Sequence, residues 1–229
     1  MKDISLISFD AADTLWECQT YFEAVEKEYC ELLKSYASAD EISKALFAVE
    51  TANMPLLGYG SKAFLLSLLE NAIEVSGGRL KADEVEKIIK LGKELLQLPG
   101  KPMDGVEETL KVLRERGVYH LVVFTKGELL DQENKFHRSG LKPYFDDIIV
   151  VSDKTEASYY QLCERFSINV EQLLMVGNSF RSDIEPVLKL GGWAAHIPFH
   201  TTWQHEVVEE YEHPHLLKLE YFTQLNQVL

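Results

Sequence analysis

Four short strings in this chain hold side chains suited to moving a phosphoryl group: FDAADTLW at 9–16, VVFTKG at 122–127, VSDKT at 151–155 and MVGNSFRSD at 175–183. Asp10 is an acid followed by small residues, then Asp13 and the hydroxyl of Thr14, and a carboxylate so placed can serve as a nucleophile. Thr125 offers a hydroxyl with backbone N–H groups after it, and Lys154 offers an ammonium; both suit phosphate oxygens. Asn178 and Asp183 add an amide oxygen and a second carboxylate, the hard donors that a divalent cation prefers. Each of these residues alone has a plainer explanation. Asp10 could close a turn, Thr125 could reflect β-propensity, Lys154 could be solvated, and Asp183 could complement the dipole of the helix it opens. Their weight comes from shared context, because each string follows or ends an apolar run.

Those runs are Ile4 to Phe9, Tyr119 to Thr125, Ile148 to Val151 and Leu173 to Val176, with a fifth at Trp193 to Ile197. They are short and continuous, as buried parallel strands are, and helical patterns separate the later ones. The alternation predicts an α/β, Rossmann-like three-layer core with a central parallel sheet, whose ligands bind beyond the carboxyl ends of the strands. Between the first and second runs the period changes: Phe22, Val25, Tyr29, Leu32, Leu33 and Tyr36 recur at three and four. Residues 17–98 are therefore expected to form an inserted all-helical domain of about four helices, with 1–16 and 99–229 as the core. Helix starts are expected at Thr20 with Glu23, at Asp40, at Ser61 and at Asp83 with Glu86, while Pro99, Gly100 and Pro102 punctuate the exit.

The chain has 229 residues, with 23 basic against 37 acidic side chains and a formal net charge of −14. Such a balance disfavours nonspecific binding to nucleic acid or to an anionic membrane, so neither is expected as a partner. An anionic substrate must then be held by local positive groups. Cys18, Cys30 and Cys163 form neither a CxxC pair nor a disulfide framework, which suits a reducing compartment. With no apolar signal core near the N-terminus and no uncharged run of ~18 residues, the expected location is cytoplasmic. His196, His200 and His205 match no recognised metal-ligand spacing and are read as surface or supporting histidines. Tyr21, Phe22, Tyr29 and Phe64 are read as packing of the helical block.

Taken in order, the four strings resemble the motifs of the haloacid dehalogenase-like superfamily, and the insertion after the first resembles that family's smaller helical cap. The likeness spans essentially the whole chain and points to the group with an FDxDDTLW first motif and a GNSxxSD fourth. It implies a magnesium-dependent phosphohydrolase acting on a small phosphorylated metabolite, with Asp10 attacking phosphorus to give an aspartyl-phosphate. By the same resemblance Ala11, Ala12, Thr125, Lys126 and Lys154 surround the phosphate. Mg2+ is held by Asp10, the carbonyl of Ala12, Asn178 and Asp183, with Asn178 standing where an acid is more usual. Cap residues choose the substrate in such enzymes, and in the loop-like GYGSK stretch at 58–62, Tyr59 and Lys62 are the candidates to touch the leaving group.

The resemblance breaks at position 12. Most phosphatases of the family carry a second Asp there, which protonates the leaving oxygen and later activates water. Ala12 keeps the carbonyl but has no proton to give, so binding should survive while turnover of poor leaving groups falls about 10²–10⁴-fold. Asp13 is not expected to substitute, since neighbouring side chains on an extended segment point to opposite faces. Three explanations stay open: an engineered or recently acquired replacement in an otherwise complete phosphatase; a weak enzyme whose acyl or aryl phosphates need no protonation; and a phosphate-ligand binder without turnover. Haloacid dehalogenases and phosphonoacetaldehyde hydrolases also lack this acid. The former work without metal, which would leave Asn178 and Asp183 without an evident role. The latter need a cap lysine for a Schiff base, and Lys62, the nearest candidate, is better read as solvated.

Overall fold

A computed structural model of the chain describes residues 3–229. The chain divides into two compact units, Met1–Gln19 with Pro99–Leu229, and Thr20–Leu98.

The second unit consists of α1 (Gln19–Leu32, entering from the first unit), α2 (Ala39–Leu57), α3 (Ser61–Val75) and α4 (Ala82–Leu95). Helix α2 is capped two residues before the expected Asp40, because Ser38 and Glu41 form a reciprocal capping box in which the Glu41 carboxylate accepts from the Ser38 N–H at 2.9 Å. The start of α4 is likewise displaced from Asp83: Glu84 reaches back to the Lys81 N–H at 2.9 Å. Ser61 does not cap α3; it lies buried in the first turn, and Gly60 at φ 109° precedes it. Leu33, Ile42, Leu68, Ala72 and Ile88 are fully enclosed. Tyr29 is enclosed with them, and its hydroxyl lies 2.9 Å from the Leu68 carbonyl and 2.6 Å from Asn71 Oδ1, two acceptors for its proton. Burying an aromatic ring this way is favourable only because its polar end finds partners.

On α2, Glu50 is half-buried, and burial, reinforced by Glu26, pushes its carboxyl from 4.5 up to about 7. Its protonated form is the one the fold prefers, so its contribution is complete below about 4.5 and is lost as pH rises through about 7. Thermal unfolding is therefore expected to occur at lower temperature at pH 8 than at pH 5.5. Glu50→Gln should raise stability at pH 8 by on the order of 2 kcal/mol and flatten that dependence. A variant that tracks the parent at both pH values would refute the assignment.

The first unit is built on six parallel strands in the order β3-β2-β1-β4-β5-β6. They are β1 (Leu6–Phe9), β2 (His120–Lys126), β3 (Asp147–Val151), β4 (Leu173–Gly177), β5 (Trp193–His196) and β6 (Leu216–Lys218). Apolar runs predict the first five; β6 is an addition, three residues long and ending on a lysine. Because both faces are covered, successive residues of one strand enter different cores. Ile7, Phe9, Val123, Leu174 and Val176 pack with Val106 and Leu110 of α5 (Val106–Arg116) and Phe136 of α6 (Leu129–Ser139). Leu6, Val122, Phe124 and Met175 pack with Tyr159 and Leu162 of α7 (Glu156–Phe166) and Val187 of α8 (Glu185–Leu190). Each such side chain contributes about 1.5–3 kcal/mol by leaving water. Strand β1 pairs with β2 on one side and β4 on the other, so the winding reverses there. That is the place in an open parallel sheet where a crevice forms beyond the strand ends. Among the described residues, no helix is long and apolar enough to cross a membrane.

Candidate active site

Asp10 follows the last residue of β1, and its N–H donates to the Val176 carbonyl of β4 at 2.9 Å. The chain then turns tightly, with the Ala11 carbonyl accepting from Leu15 N at 2.9 Å and Trp16 N at 3.2 Å. Asp13 stands at the left-handed corner of this turn, φ 60°, a conformation aspartate tolerates better than bulkier residues. Its carboxylate accepts from the backbone N–H of Cys18 at 2.7 Å and of Gln19 at 3.0 Å. Burial pushes the Asp13 carboxyl up to about 6, against the lowering effect of those hydrogen bonds. The segment is thus a turn rather than the extended stretch expected, and Asp13 is engaged by backbone.

Lys154, in the loop after β3, is buried, and its ammonium is shared: it donates to Asp10 Oδ1 and, at 2.6 Å, to Asp183 Oδ1. Burial alone would lower the lysine's pKa, but the charges of Asp10 and Asp183 outweigh it and hold it above the ordinary value. Asp183 is 1% exposed, and burial raises its carboxyl well above the usual range, with Lys154 opposing the rise and Asp10 adding to it. One ammonium thus faces two carboxylates in a desolvated place. With the Asn178 amide oxygen and the Ala12 carbonyl, carried on the turns after β4 and β1, these carboxylates are oxygen donors of the kind a hard divalent cation takes. Asn178 Oδ1 accepts from the Thr14 hydroxyl at 3.1 Å, which ties the fourth string to the first. The backbone of Asn178 is held in turn by His196 at the end of β5, whose Nε2 lies 3.0 Å from the Asn178 carbonyl.

Asp183 sits in a π-helical turn, Phe180–Ile184, directly after β4. Its second oxygen accepts from the Ser179 N–H at 3.0 Å. Gly177 makes room for it: a Cβ at that position would stand 2.2 Å from Asp183 Oδ2. Gly177→Ala should therefore push Asp183 off Lys154 and lower kcat on the order of 10²-fold, as a displacement near 1 Å does. Unchanged turnover in a folded Gly177→Ala variant would show that Asp183 is not held where it is needed.

Of the expected site residues, Asp10, Lys154 and Asp183 are joined by direct hydrogen bonds, and Asn178 is joined to the first string through Thr14. Thr125 is buried at the end of β2, beside the strand that delivers Asp10, with its hydroxyl 3.4 Å from the Lys126 carbonyl. The Lys126 ammonium is engaged by Glu206 and, at 2.9 Å, by the Ser182 hydroxyl. Tyr59 and Lys62 belong to the helical unit, Tyr59 half-buried before α3 and Lys62 exposed in its first turn. Residue order alone assigns no contact to Thr14, Ser179 or Ser182, nor to Tyr159 or Glu206. The hydroxyls of the GNSFRS stretch were the available signal for two of them.

A model of the haloacid dehalogenase-like hydrolase family matches residues 4–191. A haloacid dehalogenase-like family hydrolase from Xanthomonas campestris is similar in structure with a TM-score of 0.89 and 33% sequence identity, covering 99% of this chain and 90% of that one. A protein from Haemophilus somnus, assigned by prediction as a phosphoglycolate phosphatase, shares the fold with a TM-score of 0.64 and 18% identity, covering 100% and 99% of the two chains. Haloacetate dehalogenase H-2 of Moraxella sp. (strain B) is 27% identical over 185 residues, 78% of this chain and 79% of that protein.

Proposed function

The chain belongs to the haloacid dehalogenase-like hydrolases, and on that premise we propose that it hydrolyses monoesters of small phosphorylated metabolites through an aspartyl-phosphate on Asp10. The observation that carries this reading is the single ammonium of Lys154 held between the carboxylates of Asp10 and Asp183. Lys154 keeps Asp10 aimed and offsets the charge of an incoming phosphate. The Asp10 carboxylate attacks phosphorus, the P–O bond to the leaving group breaks, and water later releases phosphate and regenerates the carboxylate. Thr125 and the N–H groups after it can bind the transferring oxygens. Asp10, the Ala12 carbonyl, Asn178 and Asp183 would hold Mg2+, which when bound supplies Lewis-acid polarisation of the phosphoryl oxygens.

With Ala12 where a proton donor would stand, the leaving group departs as its own oxyanion. The rate should then depend steeply on leaving-group acidity, and p-nitrophenyl phosphate, which needs no proton, is the discriminating substrate. Magnesium-dependent phosphate release from it, abolished by Asp10→Asn, is expected. If neither this chain nor Ala12→Asp released phosphate from any ester while still binding phosphate, the enzyme reading would give way to a binding protein.

A second reading has its own support. A halide leaves without a proton, so Ala12 is no handicap to dehalogenation, and the relative named a haloacetate dehalogenase matches most of this chain. Asp183 also has work without metal, since it holds Lys154 and accepts from Ser179. Halide release from haloacetate in the presence of a chelator would favour this chemistry over phosphate transfer.

A further inference from the structure

The segment HTTWQHE at 200–206 lies after β5, outside the residues given a chemical role above. Its last residue, Glu206, enters a partly buried ion pair: the Glu206 and Lys126 side chains are 12% and 16% exposed and in direct contact. The Ser182 hydroxyl closes a triangle, donating to Glu206 Oε1 at 2.8 Å while accepting from Lys126 Nζ at 2.9 Å. Around it, Arg181 donates to the His205 carbonyl, the Trp203 ring lies 5.7 Å from the Lys126 ammonium, and Tyr159 donates to the Ser182 carbonyl at 2.9 Å. Burial would raise the Glu206 carboxyl, yet Lys126 and the neighbouring serines hold it below its ordinary value, so it stays charged. The bonds from Glu206, Lys126, Arg181 and Tyr159 converge on one turn, Phe180–Ile184, the π-helical turn that carries Asp183. A π turn is rare and weakly self-stabilised, so it persists where outside contacts hold it.

We infer that Glu206 is a positioning residue, which, through Lys126 and Ser182, fixes the turn that aims Asp183 at Lys154. This rests on the reading of Asp10, Lys154 and Asp183 as the reacting centre. Lys126 thereby acquires a role of its own, anchoring the end of β2 to the strap formed by 200–206, one residue from Thr125.

Two measurements test it on the full chain. Hydrogen exchange of the amides at 180–185 reports the turn directly; Glu206→Ala and Lys126→Met should each raise it about tenfold or more, with α5 unchanged. With p-nitrophenyl phosphate, Glu206→Ala should lower kcat about 10–100-fold with KM within about threefold, and Glu206→Gln, whose amide oxygen can still accept from Lys126 and Ser182, should recover most of it. Joining Glu206→Ala to Lys126→Met should cost less than the sum of the two, because they share one contact while each also holds Ser182. Unchanged exchange at 180–185 in a folded variant, or exchange raised uniformly through the sheet, would overturn the inference. If no variant turned over any phosphate ester, the hydrolase reading would fall, while exchange would still decide what Glu206 holds. Should Glu206→Ala fail to fold, Glu206→Gln and Lys126→Met carry the same comparison.

Discussion

Ala12→Asp is expected to raise kcat for alkyl phosphates about 10²–10⁴-fold while changing p-nitrophenyl phosphate turnover little. The difference between substrates is the informative part. An alkoxide is a poor leaving group, and a proton delivered as the bond breaks removes roughly 3–5 kcal/mol from its barrier; a nitrophenolate leaves without one. No other acid in the turn can do this already, since the Asp13 carboxylate is taken up by the N–H groups of Cys18 and Gln19. Ala12 is only partly buried, so a carboxylate there is not forced out of water altogether. Parallel phosphate-release assays over a series of leaving groups would show the slope flattening in the variant. A uniform gain, or none, would mean that proton transfer does not limit this chain.

Lys154→Met is expected to damage stability and turnover together. It removes the ammonium between Asp10 and Asp183 and leaves two carboxylates facing each other in a place that excludes water. Breaking a buried pair in this way typically destabilises by about 3–5 kcal/mol, somewhat less where one acid takes up a proton. Turnover should fall on the order of 10³-fold, the scale seen when a preorganised electrostatic partner is lost. Urea unfolding and single-turnover kinetics read the two effects separately. Adding Asp183→Asn to Lys154→Met should return part of the stability but none of the activity, because it relieves repulsion without restoring the charge partner. A midpoint in urea unmoved by Lys154→Met would show that the shared contact carries no weight in the fold.

Much of this could be read from residue order. The apolar runs that become β1 to β5 are continuous because parallel strands are buried on both faces, and the period shift after Trp16 marks the helical unit. That Asp10, Lys154 and Asp183 come together was legible because each follows a strand, and strand ends of one sheet share an edge. Strand β6 was not, since three residues ending in a lysine carry no periodicity. The π turn could not be foreseen either: one shifted hydrogen bond, Glu185 N–H to the Phe180 carbonyl, has no residue-type signature. Glu206 looked like a solvated acid in an acidic chain, and only its tertiary neighbours, 24 residues and 80 residues away in sequence, reveal otherwise. For Lys126, residue order shows its place beside Thr125, whereas its contacts with Glu206 and Ser182 arise from the fold. For Asp13 the structure shows a different setting from the one expected, a left-handed turn in place of strand alternation.

The central strand has a consequence for biogenesis. Leu6 must find His120 on one side and Leu173 on the other, partners made more than a hundred residues later. Residues 20–98, by contrast, form their unit from one unbroken stretch. During synthesis at about 5–20 residues per second the helices can therefore close while LISF still waits, sticky and unmatched, for several seconds or longer. Those four residues are the stretch of the sheet open longest to mispairing before its neighbours are made.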